Sequence, residues 1–302
     1  MNFEAAACPL CGSEEALPLL QILSRRMVRC RRCGLVYQNP LSTAGDLLHL
    51  WPLPAREDGS EELEREWGER AGKRRSQRFR QFLHSVGRPG RLLDIGCGYG
   101  FFLKLAQEAG WEAIGLELNQ QAVAYAKDRL QVNALLGDPR HFHFPDASFD
   151  LVTFWNVLDY VPDPLELLEE VHRVLKAGGH VFIRTPNFTW HLQSFRLISL
   201  LRRLRGNDAF AQQPYFTFVF KVTSFSRATL RLLLERSGFV PVTIKNSPPV
   251  PGDPYLELGT GAELALTLAK RAVHAIALTV AALSGNRWLI GPSLEAWGRR
   301  EA

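Results

Sequence analysis

The feature that most constrains the fold is a glycine-rich turn between a short apolar segment and a helical pattern. The turn lies in the run Leu92-Leu93-Asp94-Ile95-Gly96-Cys97-Gly98-Tyr99-Gly100, and apolar residues at helical spacing continue to Ala109. Glycines at alternate positions let the backbone pass close under a ligand, because a β-carbon there would occupy the ligand's space. The run therefore predicts a buried strand, a ligand-binding turn and a helix of an α/β domain.

The spacing of the glycines favours one class of cofactor. A dinucleotide site has the pattern G-x-G-x-x-G, whereas this run is D-x-G-x-G-x-G, with Asp94 two residues before Gly96. That pattern suits S-adenosylmethionine better than NAD. A second predicted strand, residues 112–117, ends in Glu117, and a carboxylate at that position can accept hydrogen bonds from a ribose diol. Glu117 therefore supports a nucleoside-containing cofactor.

Polar residues also follow the next two predicted strands. A third strand over residues 133–137 is followed by Asp138, and the apolar run 149–156 ends at Asn156, as a buried central strand would. Ligands of open α/β sheets lie outside the carboxyl ends of the strands. We therefore expect Asp94, Glu117, Asp138 and Asn156 to lie along one edge of the sheet.

Between residues 92 and 187 the chain resembles the class I methyltransferases that use S-adenosylmethionine, in particular the small-molecule branch related to ubiquinone-pathway methyltransferases. The resemblance rests on Leu93 to Gly100, Gly115-Leu116-Glu117, Phe149-Asp150-Leu151-Val152, Val157 to Pro164 and Leu175-Lys176-Ala177-Gly178-Gly179. It implies a Rossmann-like seven-stranded sheet with helices on both faces. The remaining elements would be helices 165–176 and 226–237 and strands 180–184, 240–245 and 293–297.

The resemblance also implies a set of cofactor-binding residues. Gly96, Gly98 and Gly100 would line the methionine part, Glu117 would hold the ribose hydroxyls, and Asp138 would lie near the adenine amine. The full predicted set is Asp94, Gly96, Cys97, Gly98, Gly100, Glu117, Leu118, Asp138 and Asn156. Cys97 is interpreted as a packing residue of the loop rather than a nucleophile.

The chain departs from these relatives after the fourth strand. They commonly have Leu-Glu-His-Val-Pro where this chain has Leu158-Asp159-Tyr160-Val161-Pro162. The missing histidine and Asn156 argue against the divalent metal that some quinone methyltransferases bind. Because the sulfonium is already a strong electrophile, methyl transfer depends mainly on positioning. A weakly acidic hydroxyl acceptor still needs a base, for which Asp159, Tyr160 and His191 are the candidates.

Four of the five cysteines form two pairs, Cys8-Pro-Leu-Cys11 and Cys30-Arg-Arg-Cys33, with 18 residues between them. Two knuckles of this spacing complete a tetrahedral zinc site. Gly12 and Gly34 follow the knuckles, where the turn favours a glycine conformation. A redox Cys-x-x-Cys would need only one pair. With four protein ligands and no open position, the predicted role of zinc is structural.

These features divide the chain into a zinc ribbon at residues 1–41, a linker at 42–59 and a methyltransferase domain at 60–302. The domain opens with a helix that ends near Val86. An aromatic insertion at about 187–225 is interpreted either as a substrate lid or as elements that pack on the core. An apolar helical segment follows at about 262–284.

Composition excludes some classes of protein. Forty-six per cent hydrophobic and 22 per cent charged residues indicate a globular core rather than disorder. The N-terminus lacks a secretory signal, and no uninterrupted apolar run of about 18 residues is present, so we expect a cytoplasmic protein. The basic amphipathic stretch 195–205 and the apolar stretch 264–283 are candidates for peripheral contact with an anionic membrane, which would suit a lipid-linked acceptor.

The predicted function is methyl transfer from S-adenosylmethionine to a small-molecule, lipid-linked or glycan-type acceptor. One alternative is RNA methylation with the basic ribbon binding RNA, which the pI near 9.1 and the zinc ribbon suggest. The basic patch of the ribbon is limited to Arg25, Arg26, Arg29, Arg31 and Arg32. Against it, Asn156 does not begin the Asn-Pro-Pro-Tyr motif of amino-group nucleic-acid methyltransferases. The other alternative is a non-catalytic module that retains the cofactor site.

Overall fold

The computed structural model describes residues 6–22, 25–41, 61–204, 221–250 and 260–301. The linker predicted at 42–59 lies outside these residues. So does the stretch 205–220 of the predicted lid, which carries five of its aromatic residues.

The described residues form strands and helices in the order that the sequence predicts. The strands are β1 (Ala16–Ile22), β2 (Arg25–Cys30), β3 (Val36–Gln38), β4 (Arg91–Ile95), β5 (Glu112–Glu117), β6 (Asn133–Leu136), β7 (Phe149–Trp155), β8 (Leu175–Pro186), β9 (Thr223–Ser224), β10 (Phe239–Asn246) and β11 (Ser293–Arg300). The helices are α1 (Glu61–Val86), α2 (Phe101–Glu108), α3 (Gln120–Leu130), α4 (Pro139–Phe142), α5 (Pro164–Val174), α6 (Phe188–Leu204), α7 (Arg227–Arg236) and α8 (Thr260–Leu283).

Seven of the strands form one sheet in the order β10-β11-β8-β7-β4-β5-β6. Strands β8, β7, β4, β5 and β6 run parallel, and β11 runs antiparallel to β8 and β10. Helices α1, α2 and α3 pack on one face, and α5 and α7 pack on the other. This confirms the predicted seven-stranded α/β fold. Because the chain leaves β4 toward β5 and later returns to β7 on its other side, the turn after β4 is a topological switch point.

Strand β8 begins earlier than predicted. The pair Gly178-Gly179 suggested a turn before a strand at 180–184, but β8 runs from Leu175 to Pro186. Gly178 has φ +79° and lies within the strand. At the start of the strand Leu175 pairs with Phe149 of β7 before the register shifts, and at its end Thr185 and Pro186 pair with β11. β11 likewise continues past the predicted end of the last strand at residue 297, to Arg300.

The ribbon joins the main domain through a shared sheet. Strands β1, β2 and β3 pair antiparallel, and β3 then pairs with β9, so that Val36 lies opposite Ser224 and Tyr37 opposite Thr223. The N–H of Gln38 donates to the carbonyl of Val222 at 2.7 Å. The sequence predicted the ribbon but not this pairing, since a two-residue strand has no periodicity to detect.

Helix α8 differs from the expectation about membrane spans. The 23 residues Gly261–Leu283 contain an 18-residue window of mean hydropathy 1.4. By length and composition alone, this helix could cross a membrane. Lys270, Arg271 and His274 interrupt the apolar run, which is why the sequence predicts no span, but these three residues do not lower the mean hydropathy sufficiently. A single helix of this kind is weak evidence for a span. Only 11% of the window is buried.

An aromatic cluster attaches α1 to the sheet. Phe82 of α1 is 1% exposed, and its ring lies 4.4 to 5.9 Å from the rings of Phe102, Trp155, Phe182 and Trp297, measured between centroids. Aromatic contacts at these distances add to the free energy gained from burial. Phe82 therefore positions α1 beside the turn that follows β4.

We expect Phe82→Ala to lower the free energy of unfolding by about 3–5 kcal/mol, because it removes a buried aromatic side chain and leaves a cavity. Urea denaturation monitored by circular dichroism measures the change. Trp288→Ala is the matched control, since Trp288 is 69% exposed and its loss should leave stability nearly unchanged. Equal stability of the two variants would contradict the assigned role of Phe82.

Candidate active site

The turn after β4 contains three glycines that adopt left-handed backbone conformations. Gly96, Gly98 and Gly100 have φ of +72°, +54° and +80°. A β-carbon on Gly96 would lie 2.3 Å from Val157, and one on Gly100 would lie 2.9 Å from Ala126, but one on Gly98 would meet nothing within 4 Å. Gly96 and Gly100 are thus required for internal packing. Of the three, Gly98 alone borders open space.

Glu117, at the end of β5, holds this turn in place. Its Oε2 accepts a hydrogen bond from the N–H of Gly98 at 2.9 Å, and its Oε1 accepts from the N–H groups of Leu118 and Asn119 at 2.8 and 3.0 Å. An ionised carboxylate has about four acceptor positions. The backbone uses three, so Glu117 retains capacity for a further donor. It lies beside Gly98, as a ribose-binding acid would.

Asp94 and Cys97 are buried on either side of the first glycine. Asp94 accepts a hydrogen bond from the Thr153 hydroxyl at 2.6 Å. Burial raises the pKa of Asp94 to about 8, the Thr153 hydrogen bond opposes the rise, and the charge of Glu117 adds to it. Cys97 packs in the core, with Sγ 2.6 Å from where a β-carbon on Gly115 would be. Burial also raises the pKa of its thiol, which supports a packing role.

Asp138 follows β6 and is engaged by Arg140. It caps α4 by accepting from the N–H of Arg140 at 3.0 Å, and the guanidinium donates to both of its carboxylate oxygens, at 2.8 and 2.9 Å. Burial disfavours its ionisation, but the hydrogen bonds and charge of Arg140 outweigh burial and hold the pKa of Asp138 below its usual value. Its predicted place near the adenine amine stays a prediction.

Asn156 ends β7 in an unusual backbone conformation. Its φ is +61°, which costs an asparagine roughly 1–3 kcal/mol. Its N–H donates to the carbonyl of Arg184 at 2.8 Å, and its side-chain oxygen accepts from the Arg184 guanidinium. Strained residues held in this way are concentrated at functional sites. The predicted contact of Asn156 with the ligand stays a prediction.

Asp159 and Tyr160 lie in a short 3₁₀ turn after β7, next to Lys221. Asp159 is 3% exposed, and its Oδ1 has no hydrogen-bond partner among the described residues. The Lys221 ammonium lies 4.8 Å from the centroid of the Tyr160 ring. Burial raises the pKa of Asp159 against the nearby charges of Lys221 and Arg184, and burial lowers the pKa of Lys221. Asp159 is therefore a more basic carboxylate than an exposed one.

The ribbon contributes a cation to the same region. Burial lowers the pKa of Arg25 at the start of β2, while the electrostatic influence of Tyr160 opposes the shift. Arg25 also helps to lower the pKa of Lys221. Neither Arg25 nor Lys221 was among the predicted site residues, and their apposition depends on the pairing of β3 with β9.

His191, the third predicted base, lies in α6 and is directed at the loop before β11. Its Nε2 is 2.8 Å from the carbonyl oxygen of Pro292, and burial lowers its pKa to about 4. The ring is therefore neutral near pH 7, and Nε2–H is the donor that this carbonyl requires. The contact assigns His191 a structural hydrogen bond. Its catalytic role stays a prediction.

A row of functional side chains crosses four strands at the carboxyl ends of β7 and β8. Trp155 lies opposite Arg184, Arg184 opposite Glu295, and Glu295 opposite Lys245. We call these four residues the polar row. Cross-strand partners point to the same face of a sheet, and Trp155 contacts Phe79 of α1, so the polar row faces α1.

Hydrogen bonds connect the polar row to Asn156. Arg184 Nε donates to the Ser247 hydroxyl at 2.9 Å, and that hydroxyl donates to Glu295 at 3.0 Å. Arg78 of α1 pairs with the same carboxylate, which is 0% exposed. Three buried atoms of this group, Arg78 Nε, Trp155 Nε1 and Glu295 Oε2, have no hydrogen-bond partner among the described residues. Buried polar atoms without a hydrogen-bond partner are rare in folded proteins, although the Lys245 ammonium lies 3.8 Å from Glu295 Oε2.

Sequence reasoning missed Arg184 and Glu295. A usable signal existed for Arg184, because a cation directly follows Val181-Phe182-Ile183 in a buried strand. A charged residue within such a strand needs a partner or a ligand.

The four cysteines predicted to bind zinc meet at one point. Cys8 and Cys33 have sulfurs 3.5 Å apart, as do Cys11 and Cys30, and all four lie within 4.8 Å of one another. A tetrahedron with Zn–S bonds of about 2.3 Å has sulfurs about 3.8 Å apart. Gly12 and Gly34 have φ of +70° and +78°, and their N–H groups donate to the carbonyls of Cys8 and Cys30. The donor set therefore fits zinc.

Two curated relatives show how far the similarity extends. The chain is 30% identical over 103 residues to the ubiquinone biosynthesis O-methyltransferase of Aliivibrio fischeri, which covers 32% of this chain and 44% of that protein. It is 31% identical over 188 residues to the demethylmenaquinone methyltransferase of Lactobacillus johnsonii, covering 56% of this chain and 72% of that protein. The chain thus spans less than half the length of the first relative.

A solved structure has the same fold. A methyltransferase of Thermotoga maritima that is dependent on S-adenosylmethionine superposes with a TM-score of 0.53 at 19% identity, covering 84% of this chain and 100% of that one. The sequence model of the family described as "Methyltransferase domain" matches residues 67–244. This range is more than half of the 302 residues, and the chain therefore belongs to the methyltransferase family.

Proposed function

We propose that the protein transfers a methyl group from S-adenosylmethionine to a small-molecule acceptor at the carboxyl edge of the sheet. The observation that carries the proposal is the bond from Gly98 N–H to the Glu117 carboxylate at the switch point of a methyltransferase fold. The names of both curated relatives refer to quinone-pathway compounds. These relatives support a small organic acceptor over a macromolecular one.

The described residues fit the cofactor. Open space above Gly98 admits a ligand where a side chain would block it, and Glu117 has acceptor capacity for a ribose hydroxyl. Asp94, Gly96, Gly100, Leu118 and Asn156 complete the proposed cradle, with Asp138 at its adenine end. When bound, the cofactor supplies an electrophilic methyl group.

The acceptor site is proposed to lie between the polar row and Asp159. The unpartnered Arg78 Nε and Trp155 Nε1 are donors, and Glu295 Oε2 is an acceptor, so together they suit a polar group on the acceptor. An acceptor hydroxyl would lose its proton to the Asp159 carboxylate, and its oxygen would take the methyl group that the bound cofactor supplies from its sulfonium, leaving a neutral thioether. Two further side chains would position the acceptor. They are Tyr160, which lies beside Lys221, and His191, which is hydrogen-bonded to the Pro292 carbonyl.

We further propose that zinc binds Cys8, Cys11, Cys30 and Cys33 as a structural ion. The sulfur distances and knuckle turns support this, and a site filled by four thiolates has no position for a substrate. In this organisation residues 1–41 form the ribbon, 42–59 the linker and 60–302 the methyltransferase domain. Zinc would then stabilise the strand that pairs with β9.

Calorimetry tests the cofactor site. We expect Glu117→Ala to weaken S-adenosylmethionine binding by roughly 10- to 100-fold, because a hydrogen bond to a charged group contributes about 1.5–3 kcal/mol. Gly98→Val should do the same by filling the open space. Glu112→Ala is the control, since Glu112 is an exposed acid at the opposite end of β5. Wild-type affinity in both site variants would refute the assignment.

Metal analysis tests the ribbon. The purified protein should hold about one zinc per chain, and Cys30→Ser should lose it, because three thiolates leave the tetrahedron incomplete. Cys97→Ser is the matched control, because the fifth cysteine packs under Gly115 rather than with the other four. Retention of zinc by Cys30→Ser, or its loss from Cys97→Ser, would be incompatible with this site.

Methyl-labelled cofactor supplied with separate pools of cellular lipids, glycans and RNA tests the activity. We expect label in a small molecule of the lipid or glycan pool, and much less label with Glu117→Ala at a cofactor concentration that does not saturate the variant. Label in RNA would favour the alternative of RNA methylation. Cofactor binding without transfer to any pool would favour a non-catalytic module.

Once an acceptor is known, its pH profile tests Asp159. The rate should fall as the pH drops through the raised pKa of Asp159, because only the carboxylate accepts a proton. Asp159→Asn should lower kcat by about 10²-fold or more and remove this acid limb. An unchanged profile in the variant would exclude Asp159 as the base.

A further inference from the structure

Helix α8 presents an apolar face to solvent. Five large aliphatic side chains on it are at least half exposed, namely Leu264, Leu268, Ile276, Leu278 and Leu283. At 100° per residue these positions fall within a single broad sector of the helix. We call them the α8 face. Contiguous exposed apolar surface of this kind marks an interaction site.

The opposite side of α8 is fixed to the domain. Ala277 and Ala281 are buried, the Asn246 side chain donates to the Ala277 carbonyl at 3.0 Å, and Glu263 pairs with Arg74 of α1. These contacts determine which side of the helix faces outward. They also oppose a transmembrane orientation, because crossing a bilayer would break all of them.

Charge indicates what covers the α8 face. Glu263 is the only acid between Thr260 and Pro292, and it is engaged by Arg74 on the inner side. Arg271 and Arg287 are exposed, and Trp288 next to Arg287 is 69% exposed. Arg271 falls within the sector of the α8 face, and Arg287 follows the helix. Exposed apolar residues together with cations and a tryptophan are typical of helices that lie on anionic membranes.

The C-terminal half of α8 lies near the carboxyl edge of the sheet, because Asn246 at the end of β10 bonds to Ala277. The side chain of Asn187, directly after β8, donates to the carbonyls of Leu289 and Gly291 at 2.8 Å each. Helix α6 begins at the next residue and exposes Leu197, Leu200 and Leu204. The start of α6 and the loop that follows α8 therefore meet at the same edge of the domain.

We propose that the α8 face docks on an anionic lipid surface, with the helix lying in the plane of the interface. Docking would bring the carboxyl edge of the sheet to the bilayer, so that a lipid-linked acceptor could reach it. This inference rests on the proposed methyl transfer for its functional meaning. Its physical content, binding to lipid, is independent of that activity.

Vesicle co-sedimentation of the full chain tests the proposal. The protein should bind vesicles of phosphatidylcholine mixed with phosphatidylglycerol and should bind phosphatidylcholine alone more weakly. Leu268→Glu with Ile276→Glu should reduce partitioning by roughly ten-fold or more, since two apolar side chains no longer enter the interface. Leu17→Glu with Val240→Glu is the matched control, because Leu17 is an exposed residue of β1 and Val240 is exposed at the opposite end of β10 from Asn246, the residue that contacts α8.

A second pair of substitutions tests whether the cations are needed for binding to anionic lipid. Arg271→Glu with Arg287→Glu should abolish the preference for anionic vesicles, and added salt should weaken binding by the wild type. Independently of any α8 variant, brominated lipids should quench tryptophan fluorescence in the wild type, and Trp288→Phe should lose most of this quenching.

Three results would overturn the proposal. The first is that the Leu268/Ile276 variant binds vesicles as well as the wild type does, and the second is that the wild type does not bind vesicles. The third is that the wild type forms a dimer that the same variant dissociates, because a second copy would then be the occupant of the α8 face. Calorimetry with S-adenosylmethionine on each protein separates the two proposals. Retained cofactor affinity without vesicle binding refutes only the docking surface, and vesicle binding without cofactor affinity refutes only the proposed function.

Discussion

Three backbone N–H groups converge on the Glu117 carboxylate, and the geometry of the proposed active site depends on this interaction. One of them comes from the turn after β4 and two come from the start of the loop that leads into α3. The carboxylate thus ties together the ends of two adjacent strands at the switch point. Since Gly96 and Gly100 are fixed by packing against Val157, Ala126 and Val132, the turn has little freedom to change shape. The open space at Gly98 is therefore a preorganised feature.

Local patterns in the sequence predicted much of this architecture. The glycine turn, the acid that ends β5 and the two cysteine knuckles each involve a few consecutive residues whose conformations are fixed by nearby atoms. The order of the strands followed from a resemblance carried by the same motifs. Boundaries were less accurate for β8, which continues through Gly178 at a point where its pairing with β7 shifts register.

Features that depend on register between distant segments were not predictable. The polar row exists because Trp155, Arg184, Glu295 and Lys245 occupy matching positions on four strands, and no single strand contains that information. Arg25 and Lys221 likewise come close to Tyr160 only because β3 pairs with the two-residue strand β9. These are the places where charge is buried. The same places would determine which acceptor binds. The cofactor can therefore be predicted from the sequence more readily than the acceptor.

The backbone of Val222 bonds both to the ribbon and to the turn that contains Asp159. Its carbonyl accepts from Gln38 of the ribbon, and its N–H donates to the carbonyl of Asp159 at 3.1 Å. One peptide segment thus connects the cysteine-bearing sheet to the turn that carries the proposed base. Removal of residues 6–41 would leave β9 with an unpaired backbone edge beside that turn. The ribbon therefore cannot be exchanged between relatives by itself. Recombination could replace it only together with an edge strand that pairs with it as β9 does.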